Sequence, residues 1–333
     1  MTGRVTVLGA GSWGTTIAEL LAGKGYSVHL WARSPEVSSS ILERRENSVY
    51  LPGVRLSKKI MPSTGLEAAL DDSSLVISAI PSHGVRKVFT EAAQFMPEGA
   101  IVVSATKGIE EGTLLSPSGI IKDALRGVSY KGIVILSGPS FAKEVSRKLP
   151  AAVTAASSSD EAAKAAQKAF STDYFRVYTN NDVVGVELGG ALKNVIAVAS
   201  GISDGLKLGF NARAALITRG LAEITRLGAA MGAKPSTFSG LSGLGDLVLT
   251  CTGPLSRNYS LGVSMGQGRT LADITSSMRM VAEGVKTSSA ARSLALLHKT
   301  DMPITEAVFN VLHEGKQPKD AVYNLMNRGL KGE

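Results

Sequence analysis

The sequence contains little cysteine and few aromatic residues. Cys251 is its only cysteine, which excludes an internal disulfide and fits a reducing compartment, with the cytoplasm as the default expectation. Aromatic residues make up 5% of the chain and form no stacking motif, so nucleic acid is not expected as a partner. The four histidines lack the spacing of metal ligands, and we expect no metal site.

Long apolar runs are absent as well. The best candidate for a membrane span, residues 188–202, is short and is interrupted by Lys193, which argues against membrane insertion. Met1 lies four residues before the first predicted strand, which leaves no room for a signal or transit peptide. With 333 residues, 44% of them hydrophobic, the chain is long enough for two domains and a large core. The net charge is +8 and the basic residues are scattered along the chain, which favours small phosphorylated ligands.

The chain begins with a glycine-rich turn. A predicted apolar strand leads into Gly9-x-Gly11-x-x-Gly14, and a helix is predicted over residues 12–24. In a dinucleotide-binding fold the first glycine permits the turn, the second lets the backbone approach a pyrophosphate, and the third lets the helix pack on the strand. The first N–H groups of that helix attract phosphate. An ordinary strand–turn–helix corner is the alternative; a second strand predicted at 27–31 favours coenzyme binding.

The second predicted strand is followed by a cation and not by an acid. NAD-selective sites usually place Asp or Glu at this point to bind the ribose 2′-hydroxyl. The sequence here reads Ala32-Arg33-Ser34, and Arg33 can meet a 2′-phosphate. We therefore predict NADPH as the preferred coenzyme, with NADH tolerated. A surface arginine at a strand end is the competing interpretation.

Short apolar strands alternate with helical segments through the first half of the chain. This alternation predicts an α/β, Rossmann-like domain with a doubly wound, mainly parallel sheet. From about Asp182 a helical period dominates and no strand is predicted. We place the boundary within 180–182, which gives a dinucleotide-binding domain of residues 1–181 and a helical substrate domain of residues 182–333. The later predicted strands are 75–79, 101–104, 133–137, 152–155 and 176–178, with helices at 84–95 and 160–170.

Three loops follow predicted strands at the carboxyl edge of the sheet, where such sheets hold ligands. The first carries His83, for which a structural role is favoured over catalysis. The second carries Lys107, which either bridges the coenzyme and an anionic or carbonyl substrate or is a solvated loop lysine. The third runs from Gly138 to Ser140 and suits a floor for nicotinamide and substrate, or a simple turn with a helix cap at Ser140.

Lys193 is the most informative single residue. It is the only charged side chain between Glu187 and Asp204, and its helical neighbours include Gly189 and Gly190, which would let a flat ring or substrate lie close. Burial lowers the pKa of a lysine, by roughly 3–5 units when complete, which suits a proton donor in carbonyl reduction. The alternative is a lysine whose stem packs while its amine reaches water.

Two further segments present polar groups suited to a substrate. A glycine-rich loop, residues 240–245, leads to Asp246, which can orient the lysine or hold a substrate hydroxyl. Ser256, Arg257 and Asn258 follow at the start of a predicted helix, where N–H groups, a hydroxyl and a guanidinium together suit a phosphate. An ordinary serine cap followed by an exposed arginine is the competing interpretation.

In this order the motifs resemble those of bacterial-type NAD(P)-dependent glycerol-3-phosphate dehydrogenases along nearly the whole chain. The resemblance implies a Rossmann-like domain followed by an all-α domain of the 6-phosphogluconate dehydrogenase type. It also implies reversible reduction of dihydroxyacetone phosphate to sn-glycerol 3-phosphate, which supplies phospholipid synthesis. The segments that carry it are 9–15, Asn47, 50–53, 81–82, 107–108, 137–145, 187–204, 209–221, 240–251, 256–258 and 281–284.

The resemblance also implies roles for individual residues. It makes Lys193 the proton donor and acceptor, with Lys107 and Asp246 polarising or orienting the reacting groups. The implied substrate contacts are Lys107, Gly138, Ser140, Lys193, Asp246, Ser256, Arg257 and Asn258. The coenzyme contacts, including the three glycines of the turn, are Gly9, Gly11, Ser12, Trp13, Gly14, Arg33, Tyr50, Lys107, Ala142, Arg257, Val281 and Glu283.

Two other functions stay open at this point. A 3-hydroxyacid or decarboxylating 6-phosphogluconate-type dehydrogenase shares the glycine turn, the helical domain and a lysine on its first long helix, although segment 256–258 favours a small phosphorylated substrate. A non-enzymatic nucleotide-sensing module would need neither Lys193 nor Lys107. A homodimer is expected because large helical domains often associate.

Overall fold

The computed structural model describes residues 3–277, 282–330 and 332. The chain forms two compact units, the first of residues 1–107 and 115–183 and the second of residues 108–114 and 184–333. The boundary predicted after residue 181 lies two residues before this division. The sequence does not predict that 108–114 belongs to the second unit, where Ile109 joins the apolar core.

The first unit is built on one eight-stranded sheet with the order β3-β2-β1-β4-β5-β6-β7-β8. Neighbouring strands run parallel except β6 and β7, which run antiparallel. The predicted α/β fold with a doubly wound, mainly parallel sheet is therefore confirmed. The strands are β1 (Arg4–Leu8), β2 (Ser27–Trp31), β3 (Ile60–Ser63), β4 (Leu75–Ser78), β5 (Ile101–Ser104), β6 (Gly132–Ser137), β7 (Ala151–Ala156) and β8 (Phe175–Asn180).

One strand, β3, has no counterpart in the prediction from sequence. It is four residues long, lies at the edge of the sheet and contains Pro62. Proline has no N–H to donate, and an edge strand tolerates it because only one side of the strand needs ladder hydrogen bonds. A short strand with a proline gives too weak a pattern to recognise.

Helices of the first unit pack on the sheet through apolar side chains. Ile17, Leu20 and Leu21 of α1 share one buried cluster with Val5 and Val7 of β1. Full burial of each such side chain contributes about 1.5–3 kcal/mol, so this packing fixes the turn between β1 and α1. The helices are α1 (Ser12–Gly23), α2 (Pro35–Arg44), α3 (Leu66–Leu70), α4 (Val85–Ala92), α5 (Pro117–Ala124), α6 (Ala142–Val145) and α7 (Asp160–Phe170).

The second unit contains no strand in the part that the structure describes. Its first helix, α8, is long and apolar enough to span a membrane by length and composition, but 89% of its most apolar window is buried inside the protein. It is therefore the core helix of this unit. The helices are α8 (Val183–Gly205), α9 (Gly209–Ala230), α10 (Pro235–Phe238), α11 (Asp246–Thr252), α12 (Arg257–Gly266), α13 (Leu271–Ser277), α14 (Glu283–Leu297), α15 (Pro303–His313) and α16 (Pro318–Met326).

Glycines let α8 and α12 pack backbone against backbone. A Cβ atom at Gly201 would collide with the carbonyl oxygen of Tyr259, and one at Gly262 would collide with that of Val198. Any larger residue at either position would force the helices apart. The close contact therefore holds the first turn of α12 against the helix that carries Lys193.

Glu223 is a buried carboxyl group in the core of the second unit. It lies on α9, is 1% exposed, and accepts hydrogen bonds from the backbone N–H groups of Ile304 (2.6 Å) and Thr305 (3.1 Å) in the first turn of α15. Burial raises the pKa of Glu223 from 4.5 to about 7, although these hydrogen bonds act in the opposite direction.

The titration of Glu223 is expected to make stability depend on pH. The pKa of Glu223 is higher in the folded than in the unfolded chain, so between pH 4.5 and about pH 7 the native state binds a proton that the unfolded chain does not. The free energy of unfolding therefore falls as the pH rises through this range. Relative to the non-titrating variant Glu223→Gln, the natural protein should lose about 3 kcal/mol between about pH 5 and about pH 8. Urea unfolding of both proteins at the two pH values measures this difference; parallel pH profiles would contradict it.

Candidate active site

The glycines of the first turn have different structural constraints. Gly9 has a φ of +109°, and a Cβ atom there would lie 2.8 Å from the carbonyl oxygen of Ala79. A Cβ atom at Gly14 would collide with the carbonyl oxygen of Gly9. Gly11, in contrast, has no atom within 4 Å of the place where its Cβ would be. The fold itself therefore requires Gly9 and Gly14, whereas Gly11 leaves an open backbone surface at the start of α1.

Asn47 ties the neighbouring loop to this turn. Its side-chain amide, which is fully buried, donates to the carbonyl oxygen of Ala10 (2.9 Å) and to the hydroxyl of Thr15 (2.8 Å). Its carbonyl oxygen accepts from the N–H of Tyr50 (3.1 Å), and the Ser12 hydroxyl donates to the Tyr50 carbonyl oxygen (2.7 Å). The sequence analysis gives Asn47 no role of its own, and the structure shows it positioning Ser12 and Tyr50.

Other predicted coenzyme contacts lie at ends of elements. Arg33 is exposed just after β2, and Trp13 is half-buried on α1. Ala142 begins α6, and its carbonyl oxygen accepts from the Thr16 hydroxyl (3.3 Å). Glu283 begins α14 in the second unit, and Val281 lies outside the described residues.

Two buried hydroxyl groups stand at the carboxyl ends of neighbouring strands. Ser104 ends β5 and Ser137 ends β6, and neither hydroxyl has a hydrogen-bond partner among the described residues. Buried polar groups are usually paired, so unpartnered hydroxyls at this sheet edge fit a polar ligand. Together with the open backbone at Gly11, they fit a bound dinucleotide.

Lys107 and the 138–140 loop are connected within the first unit. The Lys107 Nζ donates to the carbonyl oxygen of Gly138 (3.2 Å), which also accepts from the Ser140 hydroxyl (3.1 Å). Ser140 is not the cap of α6, because that position belongs to Phe141. Gly138 has a φ of +144° and leaves no space for a side chain, since a Cβ would lie 2.9 Å from Cα of Val153.

The hydroxyl of Thr106 holds the loop that precedes Lys107. This buried group donates to the carbonyl oxygen of Ile80 (2.8 Å) and lies 3.1 Å from the Ser78 hydroxyl. Lys107 therefore extends from a fixed backbone. His83 is exposed in a short 3-10 turn after β4.

Lys193 is buried and forms an ion pair. Its Nζ donates to the carboxylate Oδ1 of Asp246 and to the Thr250 hydroxyl (2.8 Å). The side chains of Lys193 and Asp246 are 8% and 1% exposed. The alternative in which the amine reaches bulk water is therefore wrong. The contact places Asp246 where it can orient Lys193, which is one of the two roles predicted for this carboxylate.

One of the small residues beside Lys193, Gly189, serves packing. A Cβ atom at Gly189 would lie 2.6 Å from the carbonyl oxygen of Ser242, so the backbone of the 240–245 loop occupies the space that the sequence analysis gives to a ring or substrate. That expectation is wrong for Gly189. The close contact brings the start of α11, and with it Asp246, to the turn of α8 that carries the lysine.

Thr250 is a site residue that the sequence analysis misses. Its hydroxyl accepts from Lys193 and donates to the backbone carbonyl oxygen of Asp246 (2.6 Å), one helical turn earlier. The four-residue spacing between Asp246 and Thr250 on a helix is the signal that identifies it, because such residues share one face. Both side chains therefore hold the amine from the same helix.

The predicted phosphate-binding residues begin α12. Ser256 caps this helix by accepting from the N–H of Tyr259 (3.2 Å), so the capping role considered for it is present. Asn258 donates to the side-chain oxygen of Asn194 (2.9 Å) and accepts from the N–H of Gly284 (2.9 Å), which joins three helices. Arg257 is exposed, and the carboxylate of Glu283 lies near enough to attract it.

The structure thus forms two groups of predicted site residues. Lys193, Asp246 and the α12 residues lie in the second unit, while Lys107, Gly138, Ser140 and the glycine turn lie in the first. Among the described residues, no three His, Cys, Asp or Glu side chains come close enough to hold a metal ion.

Comparison with known families decides the identity. The model of the NAD-dependent glycerol-3-phosphate dehydrogenase N-terminus matches residues 4–163, and that of the C-terminus matches residues 182–323. The chain belongs to this family. It is therefore an oxidoreductase that depends on a nicotinamide coenzyme, and not a sensing module.

Individual members of this family match the chain from end to end. The glycerol-3-phosphate dehydrogenase (NAD(P)+) of Citrifermentans bemidjiense is 55% identical over 333 residues, covering 100% of this chain and 99% of the relative. That of Geobacter sulfurreducens is 53% identical with the same coverage. The crystal structure of the Coxiella burnetii enzyme has a TM-score of 0.94 and 38% identity, covering 98% of this chain and 99% of that one. The fold, including the helical second domain, is that of its family.

The glycines of the turn offer a matched pair of substitutions. Gly14→Ala should lower the unfolding midpoint, because its methyl group meets backbone. Gly11→Ala should leave this midpoint unchanged, since Gly11 has an ordinary φ of −74° and open space, but should weaken coenzyme binding about tenfold or more. Thermal unfolding and fluorescence titration with NADPH measure the two effects. Unchanged NADPH affinity in Gly11→Ala would count against a pyrophosphate at this turn.

Proposed function

We propose that this enzyme catalyses the reversible reduction of dihydroxyacetone phosphate to sn-glycerol 3-phosphate, with Lys193 as the general acid and base. The observation that carries the proposal is the buried contact of the Lys193 amine with Asp246 and Thr250. The product would supply phospholipid synthesis. Family membership supports the substrate, and the contacts of the lysine support its role.

The coenzyme is proposed to bind along the glycine turn, with its pyrophosphate at Gly11 and the N-terminus of α1. Ser12, Trp13, Tyr50 and Ala142 would line this part of the site. The further contacts proposed for it are Gly9, Gly14, Arg33, Lys107, Arg257, Val281 and Glu283. When bound, the nicotinamide supplies the hydride that the keto carbon accepts.

The Lys193 amine donates the proton that the keto oxygen needs as negative charge develops on it. Asp246 favours the ammonium form of this amine, since a carboxylate beside an amine stabilises its charge. Thr250 and Asp246 both accept hydrogen bonds from this amine, which fixes its direction. After the transfer, the charge of Asp246 draws a proton back to the amine. In the reverse direction the neutral amine is the base.

The substrate phosphate is proposed to bind at the start of α12. Arg257 offers a fork of donors, and the first N–H groups of the helix add partial positive charge. Because the Asn258 side chain already bridges Asn194 and Gly284, it reaches the phosphate only with its remaining amide hydrogen. Binding of this non-reacting group holds the keto carbon in place for reaction. Lys107, Gly138 and Ser140 would contact the rest of the substrate.

Three finer proposals concern coenzyme choice, assembly and location. Arg33 favours NADPH, with NADH accepted, and no metal ion takes part. The chain acts as a homodimer in the cytoplasm, without inserting into a membrane or binding nucleic acid. The single, buried Cys251 supports a reducing compartment.

Removing the amine tests the general acid. Lys193→Ala should lower the turnover of dihydroxyacetone phosphate by about 100- to 10,000-fold and leave the Kd for NADPH unchanged, because general acid–base catalysis is worth that factor. Lys299→Ala, an exposed lysine of the same unit, is the control. Steady-state kinetics, NADPH titration and a thermal midpoint for each variant separate chemistry from folding. Near-normal turnover of Lys193→Ala would remove it from the chemistry.

Arg33 is tested by comparing the two coenzymes. Arg33→Ala should raise the KM for NADPH by about 10- to 100-fold, because a hydrogen bond to a charged group contributes about 1.5–3 kcal/mol, and should hardly change the KM for NADH. Arg44→Ala, also exposed in the first unit, should change neither. An equal rise for both coenzymes would show that Arg33 does not recognise the 2′-phosphate.

A further inference from the structure

The first turn of α14 begins without a side-chain cap. Ala282 occupies the capping position, and its methyl group cannot accept a hydrogen bond from the first N–H groups of the helix. A helix start of this kind frays unless other parts of the protein hold it. Asn258 of α12 accepts from the N–H of Gly284 (2.9 Å), and Nε2 of His313 on α15 lies 3.1 Å from the carbonyl oxygen of Val285. The position of this turn therefore depends on contacts from two other helices.

His313 is the hydrogen donor in its contact with α14. Ser288 is fully buried on α14, and its hydroxyl donates to the carbonyl oxygen of Val285 (2.7 Å). The Nε2 atom of His313 lies 3.0 Å from that hydroxyl oxygen and 3.1 Å from the same carbonyl oxygen. Because the hydroxyl hydrogen is directed to Val285, both oxygens face the ring as acceptors, and Nε2 must carry the hydrogen. His313 thus joins the last turn of α15 to the first turn of α14.

The imidazole ring of His313 is exposed, yet its neighbours hold it in place. Phe309 lies one helical turn earlier on α15, and the centres of the two rings are 4.9 Å apart. On the far side, the guanidinium of Arg292 lies 4.3 Å from the Phe309 ring centre, and its Nε donates to the carboxylate of Glu306 (2.9 Å). Arg292, Phe309 and His313 therefore form a stack along the junction of α14 and α15, which limits rotation of the imidazole.

The helix that carries His313 is itself anchored at its other end. Glu223 of α9 accepts from the N–H groups of Ile304 and Thr305 in the first turn of α15. Val308 and Val311, between the two ends, are buried in the apolar core of the second unit. Because a packed core resists deformation, α15 is a fixed support. A contact made by its last turn therefore fixes the start of α14 relative to this core.

The turn that His313 holds carries a proposed coenzyme contact. Glu283 is the first residue of α14 and lies two residues before Val285. Its carboxylate is near enough to Arg257 to attract the guanidinium, and Arg257 is proposed to contact both the coenzyme and the substrate phosphate. A displacement of the first turn of α14 would therefore move a charge that acts on both ligands.

We infer that His313 is a positioning residue for coenzyme binding: its hydrogen bond to the Val285 carbonyl oxygen holds the first turn of α14 where Glu283 meets the coenzyme. The effect on the helix needs no assumption about the ligand. The effect on binding rests on the coenzyme contact proposed for Glu283. Because His313 acts through Glu283 in this scheme, its loss should weaken the binding of NADPH and hardly change the chemical step.

Hydrogen exchange of the protein without ligand tests the hold on the helix. In His313→Ala, amide exchange in peptides covering residues 285–290 should speed up about 3- to 10-fold, because the turn loses one hydrogen bond. Exchange in residues 292–297, the second half of α14, should stay as in the natural protein. His298→Ala, which changes a histidine at the opposite end of α14, should leave residues 285–290 unaffected. Unchanged exchange of these residues in His313→Ala overturns the inference.

Titration with NADPH, followed by fluorescence, tests the effect on binding. His313→Ala should raise the Kd for NADPH about 3- to 10-fold at nearly normal kcat. His313→Gln should restore most of the affinity, since its side-chain N–H can donate to the same carbonyl oxygen. The control His298→Ala should bind NADPH normally. An unchanged Kd in His313→Ala, or an equal loss of affinity in His313→Gln, would show that this hydrogen bond does not position the site.

A double-mutant cycle identifies the residue through which His313 acts. Glu283→Gln should itself weaken NADPH binding, and adding His313→Ala should then raise the Kd less than twofold, because the two changes remove the same contact. Thermal unfolding midpoints confirm that each variant folds. Additive losses, or normal binding by Glu283→Gln, would overturn the positioning role. A protein that shows the expected exchange, binding and coupling without any turnover of dihydroxyacetone phosphate would count against the proposed function alone.

Discussion

The second unit is organised around the buried ion pair of Lys193 and Asp246. Removing two charges from water costs several kcal/mol per ion, and well-packed apolar residues in their place often give equal or greater stability. Such a pair is therefore a poor means of stabilising a core helix. Its position on α8, with Thr250 as a further partner, fits the role proposed for Lys193, which needs an oriented ammonium group shielded from water.

Much of the remaining architecture of this unit limits the freedom of that ammonium group. Gly189 lets the loop before Asp246 approach α8 closely, and Gly201 lets α12 do the same farther along. Asn258 then joins α8 and α12 to the start of α14. Backbone-to-backbone packing is stiff because no side chain can change rotamer between the helices. The lysine and the first turn of α12 thus share one rigid support, which a reaction sensitive to small displacements requires.

The sequence predicts the parts of this molecule that depend on local periodicity. The glycine turn, seven of the eight strands and the change to helices all follow from short patterns. The exceptions have physical reasons. Strand β3 is short and contains Pro62, and residues 108–114 join the second unit through Ile109, a contact distant in sequence. The antiparallel pairing of β6 with β7 likewise depends on how the chain returns to the sheet.

The same distinction applies to the site residues: those marked by a local pattern can be predicted from sequence, and those defined by distant contacts cannot. Lys193 is evident from sequence because a charge in an apolar helix is conspicuous, whereas Thr250 and Asn47 are ordinary polar residues whose roles come from partners distant in the chain. The glycines show most clearly what cannot be predicted from sequence alone. Gly11 and Gly189 look alike in sequence, as small residues beside a predicted site, yet one leaves open backbone and the other is filled by a loop. Space that only glycine permits can be used by a ligand or by the protein itself, and the two outcomes differ only in the tertiary packing.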